Sequence, residues 1–340
     1  MRNVSIKDDS PEKHVKHRVL VSAPYFLPVL DDYRAVFEDH DIEVVTAEVN
    51  ERLSESELLV LASDVDGVIS GDDQFTEGVL SAVPRLKVIS KWGTGVDSID
   101  REAARRHGVA VRNTPGAFTD PVADQIMAYV LSFSRRVPWM ASEMREGGWH
   151  KQRATALSNC TLGIIGVGEI GKAVARRAQA FGTRLLGNDI VPMPAEFLRQ
   201  CPIAMTEKST VLRESDFVTL CCDLNPTSFQ IVAEPELSMM KQSAVLVNCA
   251  RGPLVEEAAL VRALAERHIA GAALDVFENE PLAADSPLRR MDNVLLSPHN
   301  ANSSEPHWRR IHELTIRNLI EELERCAGEI ERSRRCEASS

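Results

Sequence analysis

The sequence predicts an α/β protein built from two doubly wound parallel-sheet domains, and three observations carry that reading. Short β-branched runs alternate with longer amphipathic stretches along nearly the whole chain, the pattern of parallel strands joined by crossover helices. The turn-forming Asn113-Thr114-Pro115-Gly116 and a long helical stretch after it divide this series in two. A glycine-rich turn then opens the second series directly after an apolar run.

Taken in order, 19–22, 43–45, 67–70, 86–90 and 109–112 read as strands, with helical character near 33–39, 54–61, 77–83 and 101–107. The stretch 121–146 has Pro121 in its first turn and stops at Gly147-Gly148, and Pro138 inside it predicts a kink or two helices. Strands follow at 162–165, 184–188, 217–221, 244–248, 272–274 and 294–297, then a helix over 305–326. Residues 1–17 read as a frayed lead-in, and the tail with Arg332, Arg334 and Arg335 as disordered. The expected domains are 1–116 with 300–340, and 117–299.

Composition narrows the classes of function. Hydrophobic residues at 44% and charged residues at 26% supply enough apolar surface for two cores. No apolar run reaches the roughly 20 residues of a membrane helix. A net charge of −11 repels a phosphate backbone, so nucleic acid is not an expected partner. The seven cysteines show no metal-ligand spacing and no metal is expected. With no secretory segment in the lead-in, the expected setting is reducing and cytoplasmic.

Leu162-Gly163-Ile164-Ile165 runs straight into Gly166-Val167-Gly168-Glu169-Ile170-Gly171, and a helical pattern continues to Phe181. Gly166 permits a tight turn, Gly168 lets the backbone approach a pyrophosphate, and Gly171 allows helix and strand to pack closely. The helix start at Glu169 and Ile170 offers unpaired N–H groups to the anion. The next strand ends at Asp189, where a carboxylate can hold the adenosine ribose hydroxyls. No Arg adjoins it to accept a 2′-phosphate, so the expected cofactor is NAD.

Several longer motifs stand in one order along the chain: Lys91-Trp92-Gly93-Thr94-Gly95-Val96-Asp97, Asn113-Thr114-Pro115-Gly116, the glycine turn, Asn248-Cys249-Ala250-Arg251-Gly252, Ala273-Leu274-Asp275-Val276-Phe277-Glu278-Asn279-Glu280-Pro281 and Ser297-Pro298-His299. In them the chain resembles the D-isomer-specific 2-hydroxyacid dehydrogenases, phosphoglycerate dehydrogenase-like branch, over 19–317. The resemblance implies a flavodoxin-like substrate domain with an inserted Rossmann NAD-binding domain. It also implies hydride transfer between nicotinamide and C2 of a small 2-hydroxy or 2-oxo acid, by a homodimer joined through the arm at 121–161.

The same resemblance assigns residues. Arg251, just past a strand end, is implied to bind substrate, and a guanidinium can grip a carboxylate and a carbonyl oxygen in one planar fork. His299 is implied as the acid–base, because reduction places negative charge on the ketone oxygen. Glu280 is its implied partner, although charge alone leaves Glu278 open. Gly93-Thr94-Gly95, with Lys91 beside it, is the implied holder of the substrate carboxylate. Asp275 is placed at the nicotinamide carboxamide, with Thr114 and Ala250 as further cofactor contacts.

The chain departs from the pattern in places that bear on substrate and cofactor. Cys221-Cys222-Asp223 stands where the family often has His-x-Pro, and Ala301 where a glycine is common. Gly71-Asp72-Asp73 replaces the arginine that phosphoglycerate-type relatives place after the third strand, so a non-phosphorylated 2-oxo acid is expected. Lys91 and Arg135 remain as sources of positive charge. The alternatives are 3-phosphoglycerate dehydrogenase proper, an NAD-sensing interaction protein of the same fold, and a formate- or phosphite-type dehydrogenase. Thr94, in place of a lysine, speaks against phosphite oxidation.

Overall fold

A computed structural model describes residues 16–337. They divide into two compact units, one running through Pro115 and resuming at Arg309, the other Gly116–Trp308. The chain therefore returns at Arg309, not at Asn300. The N–H groups of Asn300 and Ala301 are bonded to Asp275, which keeps them in the second unit.

The first unit holds β1 (His17–Val21), β2 (Ile42–Thr46), β3 (Gly67–Ser70), β4 (Val88–Lys91) and β5 (Ala110–Arg112). All pair in parallel, in the order β2-β1-β3-β4-β5, which is the flavodoxin-like winding. Every residue of β3 and β4 is buried, as strands covered on both faces require. Crossover helices start where the sequence can cap them. Ser54 accepts the Glu57 N–H while the Glu57 carboxylate reaches back to the Ser54 N–H. The helix Glu305–Glu337 packs on this sheet, with Ser90 Oγ donating to the Thr315 carbonyl at 2.8 Å.

Two expectations at the termini need correction. His17 opens β1 and is buried, so it does not belong to a loose lead-in, while 1–15 lie outside the described residues. The charged tail continues the last helix to Glu337. Its Glu and Arg residues are strong helix formers, and no proline interrupts them.

The second unit holds β6 (Thr161–Ile165), β7 (Arg184–Asn188), β8 (Ala204–Met205), β9 (Phe217–Leu220), β10 (Val245–Asn248), β11 (Gly271–Leu274) and β12 (Val294–Leu296). The order is β12-β11-β10-β9-β6-β7-β8, all parallel. The winding reverses between β6 and β9, the place where open α/β sheets of this kind bind nucleotides. The edge strand β8 was not expected, since two residues carry no periodicity. The stretch after Gly116 forms two helices, Thr119–Arg135 and Val137–Arg145. Arg136 breaks them in a left-handed conformation, φ 57°, and Pro138 falls in the first turn of the second helix, where its missing N–H costs nothing. Among the described residues no helix is long and apolar enough to cross a membrane.

Candidate active site

The glycine turn follows β6 directly. Gly166 has φ 90°, and a Cβ there would collide with the Cys221–Cys222 backbone. A Cβ on Gly171 would collide with the Gly166 carbonyl oxygen, so this glycine lets helix Glu169–Ala180 start against the turn. Gly168 is exposed, nothing lies within 4 Å of where its Cβ would be, and it caps the helix without a side-chain hydrogen bond. Glu169, exposed, and Ile170, half-buried, form the first turn beside it.

Asp189, past the end of β7, accepts the Val167 N–H at 2.6 Å and the Val191 N–H at 2.8 Å. Its carboxylate thus ties the second strand end to the glycine turn. Burial pushes the Cys221 and Cys222 thiols up to about 12 and about 11. Both stay protonated at neutral pH, and Cys222 packs against the apolar core of the second unit.

The carboxyl ends of β10, β11 and β12 carry the charged residues. Asn248 ends β10; its amide donates to the Arg251 carbonyl at 2.8 Å and its oxygen accepts the Ala250 N–H at 3.1 Å. That pair of bonds folds the following residues into a turn and leaves Arg251 half-buried, its Nη1 donating to the Ala250 carbonyl at 2.8 Å. Gly252 sits so close to Phe277 that any Cβ would overlap its carbonyl, which seats the Arg251 turn on the segment following β11.

Asp275 follows β11 and is fully buried. Its carbonyl accepts the His299 N–H at 2.7 Å, and its carboxylate accepts the Asn300 and Ala301 N–H groups, each at 2.8 Å, together with the Ser297 hydroxyl. His299 adopts φ 49°. A left-handed backbone costs a non-glycine residue of order 1–3 kcal/mol and persists only where its surroundings hold it, as these amides do. Ala301, buried, supplies one of them. Sequence reasoning placed Asp275 at the nicotinamide and missed this hold on the His299 loop, because the partners are backbone amides about 25 positions away.

His299 Nδ1 lies 2.8 Å from Glu280 Oε2, while Glu280 Oε1 accepts the Phe277 N–H at 2.9 Å. The carboxylate is fixed at both oxygens. Glu278 is engaged elsewhere, accepting the Glu257 N–H at 3.0 Å. The His299 and Glu280 side chains are 29% and 26% exposed, shielded yet reachable. A carboxylate on Nδ1 fixes the orientation of the ring and places a proton on that nitrogen. The other histidines in play have different partners. His150 lies exposed on Glu143, His307 on the Ser304 hydroxyl, and His312 is buried on Trp92.

In the first unit, Gly93 has φ 133°, and its carbonyl accepts the Thr114 N–H at 3.0 Å. Asn113 Nδ2 donates to the Thr94 carbonyl at 2.6 Å, so Gly93-Thr94-Gly95 is shaped from the end of β5. Thr114 is buried, and its Oγ1 has no hydrogen-bond partner among the described residues.

Lys91, expected at substrate, closes β4. It is buried, with Nζ 3.0 Å from Asp72 and 3.3 Å from the Trp92 carbonyl, so its charge is already paired. Asp73, expected to repel a phosphate, is fully buried and accepts Ser22 Oγ at 2.5 Å and the Leu53 N–H at 2.7 Å. Burial pushes its carboxyl up, so it braces the end of β1 and does not face a ligand. Arg135 is exposed in the second unit.

The second unit therefore fits a dinucleotide: a helix start without a side-chain cap, a glycine whose open side admits close approach, and a strand-end carboxylate on the same turn. The profile of the D-isomer specific 2-hydroxyacid dehydrogenase NAD binding domain matches residues 127–301. A glyoxylate reductase of Korarchaeum cryptofilum is 37% identical over 274 residues, 78% of this chain and 82% of that protein. A D-3-phosphoglycerate dehydrogenase of Methanocaldococcus jannaschii is 39% identical over 267 residues, 77% of this chain but 51% of that longer protein. The crystal structure of D-lactate dehydrogenase from Aquifex aeolicus, complexed with NAD and lactic acid, superposes with a TM-score of 0.81 at 26% identity, covering 92% of this chain and 97% of that one. The chain belongs to the D-isomer specific 2-hydroxyacid dehydrogenase family, NAD-dependent oxidoreductases acting on CH–OH groups.

Proposed function

We propose that this chain reduces a small, non-phosphorylated 2-oxo acid, with His299, Glu280 and Arg251 carrying the chemistry. The observation that carries this is the 2.8 Å contact between His299 Nδ1 and Glu280 Oε2. NADH, when bound, supplies the hydride to C2. Charge then builds on the 2-oxo oxygen, and His299 gives it a proton from Nε2 while Glu280 fixes the imidazole plane. Arg251 grips the carboxylate and the neighbouring oxygen in one fork, so C2 is held in a single orientation. Gly93-Thr94-Gly95 takes the substrate carboxylate. Gly166, Gly168, Glu169, Ile170 and Gly171 cradle the pyrophosphate, Asp189 holds the ribose, and Asp275, Thr114 and Ala250 contact the cofactor. The second unit is accordingly the NAD-binding domain and the first the substrate-binding domain.

Two features support an unphosphorylated substrate. Gly71 stands where an arginine would meet a phosphate, and the buried Lys91 is already paired with Asp72. Assaying NADH oxidation with glyoxylate, hydroxypyruvate, pyruvate and 3-phosphohydroxypyruvate tests this. One of the unphosphorylated acids is expected to give the highest kcat/KM; preference for the phosphorylated compound overturns the reading.

The arm beyond Pro121 leaves Val137, Met144 and Trp149 exposed, the last at 84%, which supports a homodimer joined there. Light scattering at micromolar concentration is expected to give twice 37.6 kDa, and a monomer overturns it. Cys160, Cys201, Cys221, Cys222, Cys249 and Cys326 are free, which supports a reducing cytoplasm.

A further inference from the structure

We propose that Tyr129 is a positioning residue for the acid–base step, holding the His299 loop through Ser297 and Asp275; this rests on the reading of His299 given above. Tyr129 lies in helix Thr119–Arg135 and is buried, with its hydroxyl 2.5 Å from Ser297 Oγ. Ser297 Oγ donates to Asp275 Oδ1, and the same carboxylate accepts the Asn300 and Ala301 N–H groups on either oxygen. The Asp275 carbonyl accepts the N–H of His299 itself.

The protons in this chain have one direction. A carboxylate receiving several N–H groups acts as acceptor, so the Ser297 proton points to Asp275, and the Tyr129 proton must then point to Ser297. Hydrogen bonds aligned this way polarise and strengthen one another in a dry interior. Burial pushes the Tyr129 hydroxyl up to about 12, so the donor proton is retained across the working range.

The position matters because of what the loop carries. His299 is a non-glycine residue in the left-handed region, φ 49°, two residues beyond Ser297. Such a backbone is kept only by surrounding bonds, and the N–H groups of His299, Asn300 and Ala301 all converge on Asp275. Packing alone does not call for a phenol at this place, since an apolar side chain would fill the helix face without a buried polar atom to satisfy. Tyr129 thus anchors the outer end of a relay whose inner end is the acid–base.

The test is steady-state kinetics on Tyr129→Phe, using NADH and whichever 2-oxo acid turns over best. The expected result is kcat about tenfold lower, with KM for the oxo acid and Kd for NADH within about twofold of the parent. Ser297→Ala should show the same split, and adding Tyr129→Phe to it should cost nothing further. A kcat within about twofold of the parent in both single variants overturns the proposal, as does a loss shared equally by NADH binding. His299→Ala, measured alongside, separates the two readings. If it keeps parental turnover, the acid–base assignment fails; if it abolishes turnover while Tyr129→Phe and Ser297→Ala do not lower kcat, only the relay fails.

Discussion

His299 in the second unit and His312 in the first both offer Nδ1 to a neighbour, and the neighbours give them opposite tasks. His299 meets the Glu280 carboxylate at 2.8 Å, which can only accept, so Nδ1 carries a proton. His312 meets the Trp92 indole N–H at 3.0 Å, which can only donate, so Nδ1 must keep its lone pair. The rings of Phe26, Trp92 and Tyr33 stand at 5.1, 5.7 and 5.8 Å from the His312 ring, and burial pushes its pKa down to about 4. One imidazole is oriented by a carboxylate, as the proposed acid–base needs. The other is held neutral to anchor the residue before Gly93. Residue type decides less than the partner on the ring nitrogen.

The comparison breaks most visibly at His299. His299→Ala is expected to lower kcat by about 10²–10⁴-fold while NADH binding is unchanged, because the glycine turn is built from other residues. Glu280→Gln should cost less, about tenfold, since the amide keeps an acceptor but loses its charge. His312→Gln should leave kcat within about twofold. Steady-state kinetics with a fluorescence titration of NADH checks all of these. A large kcat loss at His312 together with none at His299 would exchange their tasks.

The two regions also differ in how far the sequence discloses them. The glycine turn is legible from its place between an apolar strand and a helix, while Arg251 and His299 are marked by the family motifs and stand past strand ends in the fold. Glu280 and Glu278 are two residues apart and equal in charge; register with the family motif picks Glu280, and the fold puts Glu278 on the Glu257 amide instead. Lys91 and Asp73 look like ligand-facing charges in the sequence, but burial turns both toward protein partners. Tyr129 is illegible for the converse reason. In an amphipathic helix a tyrosine reads as core, and its partner Ser297 is 168 positions away. The short edge strand β8 escapes because pattern reading needs more than two residues.

The smallest effect sharpens the comparison through pH. An imidazole near 6.5 in the unfolded chain and about 4 in the folded one takes up its proton first when unfolded. Above pH 6.5 both forms are neutral and His312 contributes nothing to the pH dependence of stability. As pH falls from 6.5 toward 4, the unfolded chain binds a proton that the folded chain refuses, so stability falls with it. Below about 4 both are protonated and the loss stops growing. His312→Gln removes this titration, and its side-chain oxygen can still accept the Trp92 N–H. Thermal melts at pH 7 and pH 5 should therefore show the variant losing about 2–4 °C less than the parent. Exposed carboxylates titrate alike in both proteins and cancel in that difference. An identical acid loss in parent and variant would mean that His312 is not held neutral by its burial, and the contrast with His299 would reduce to exposure alone.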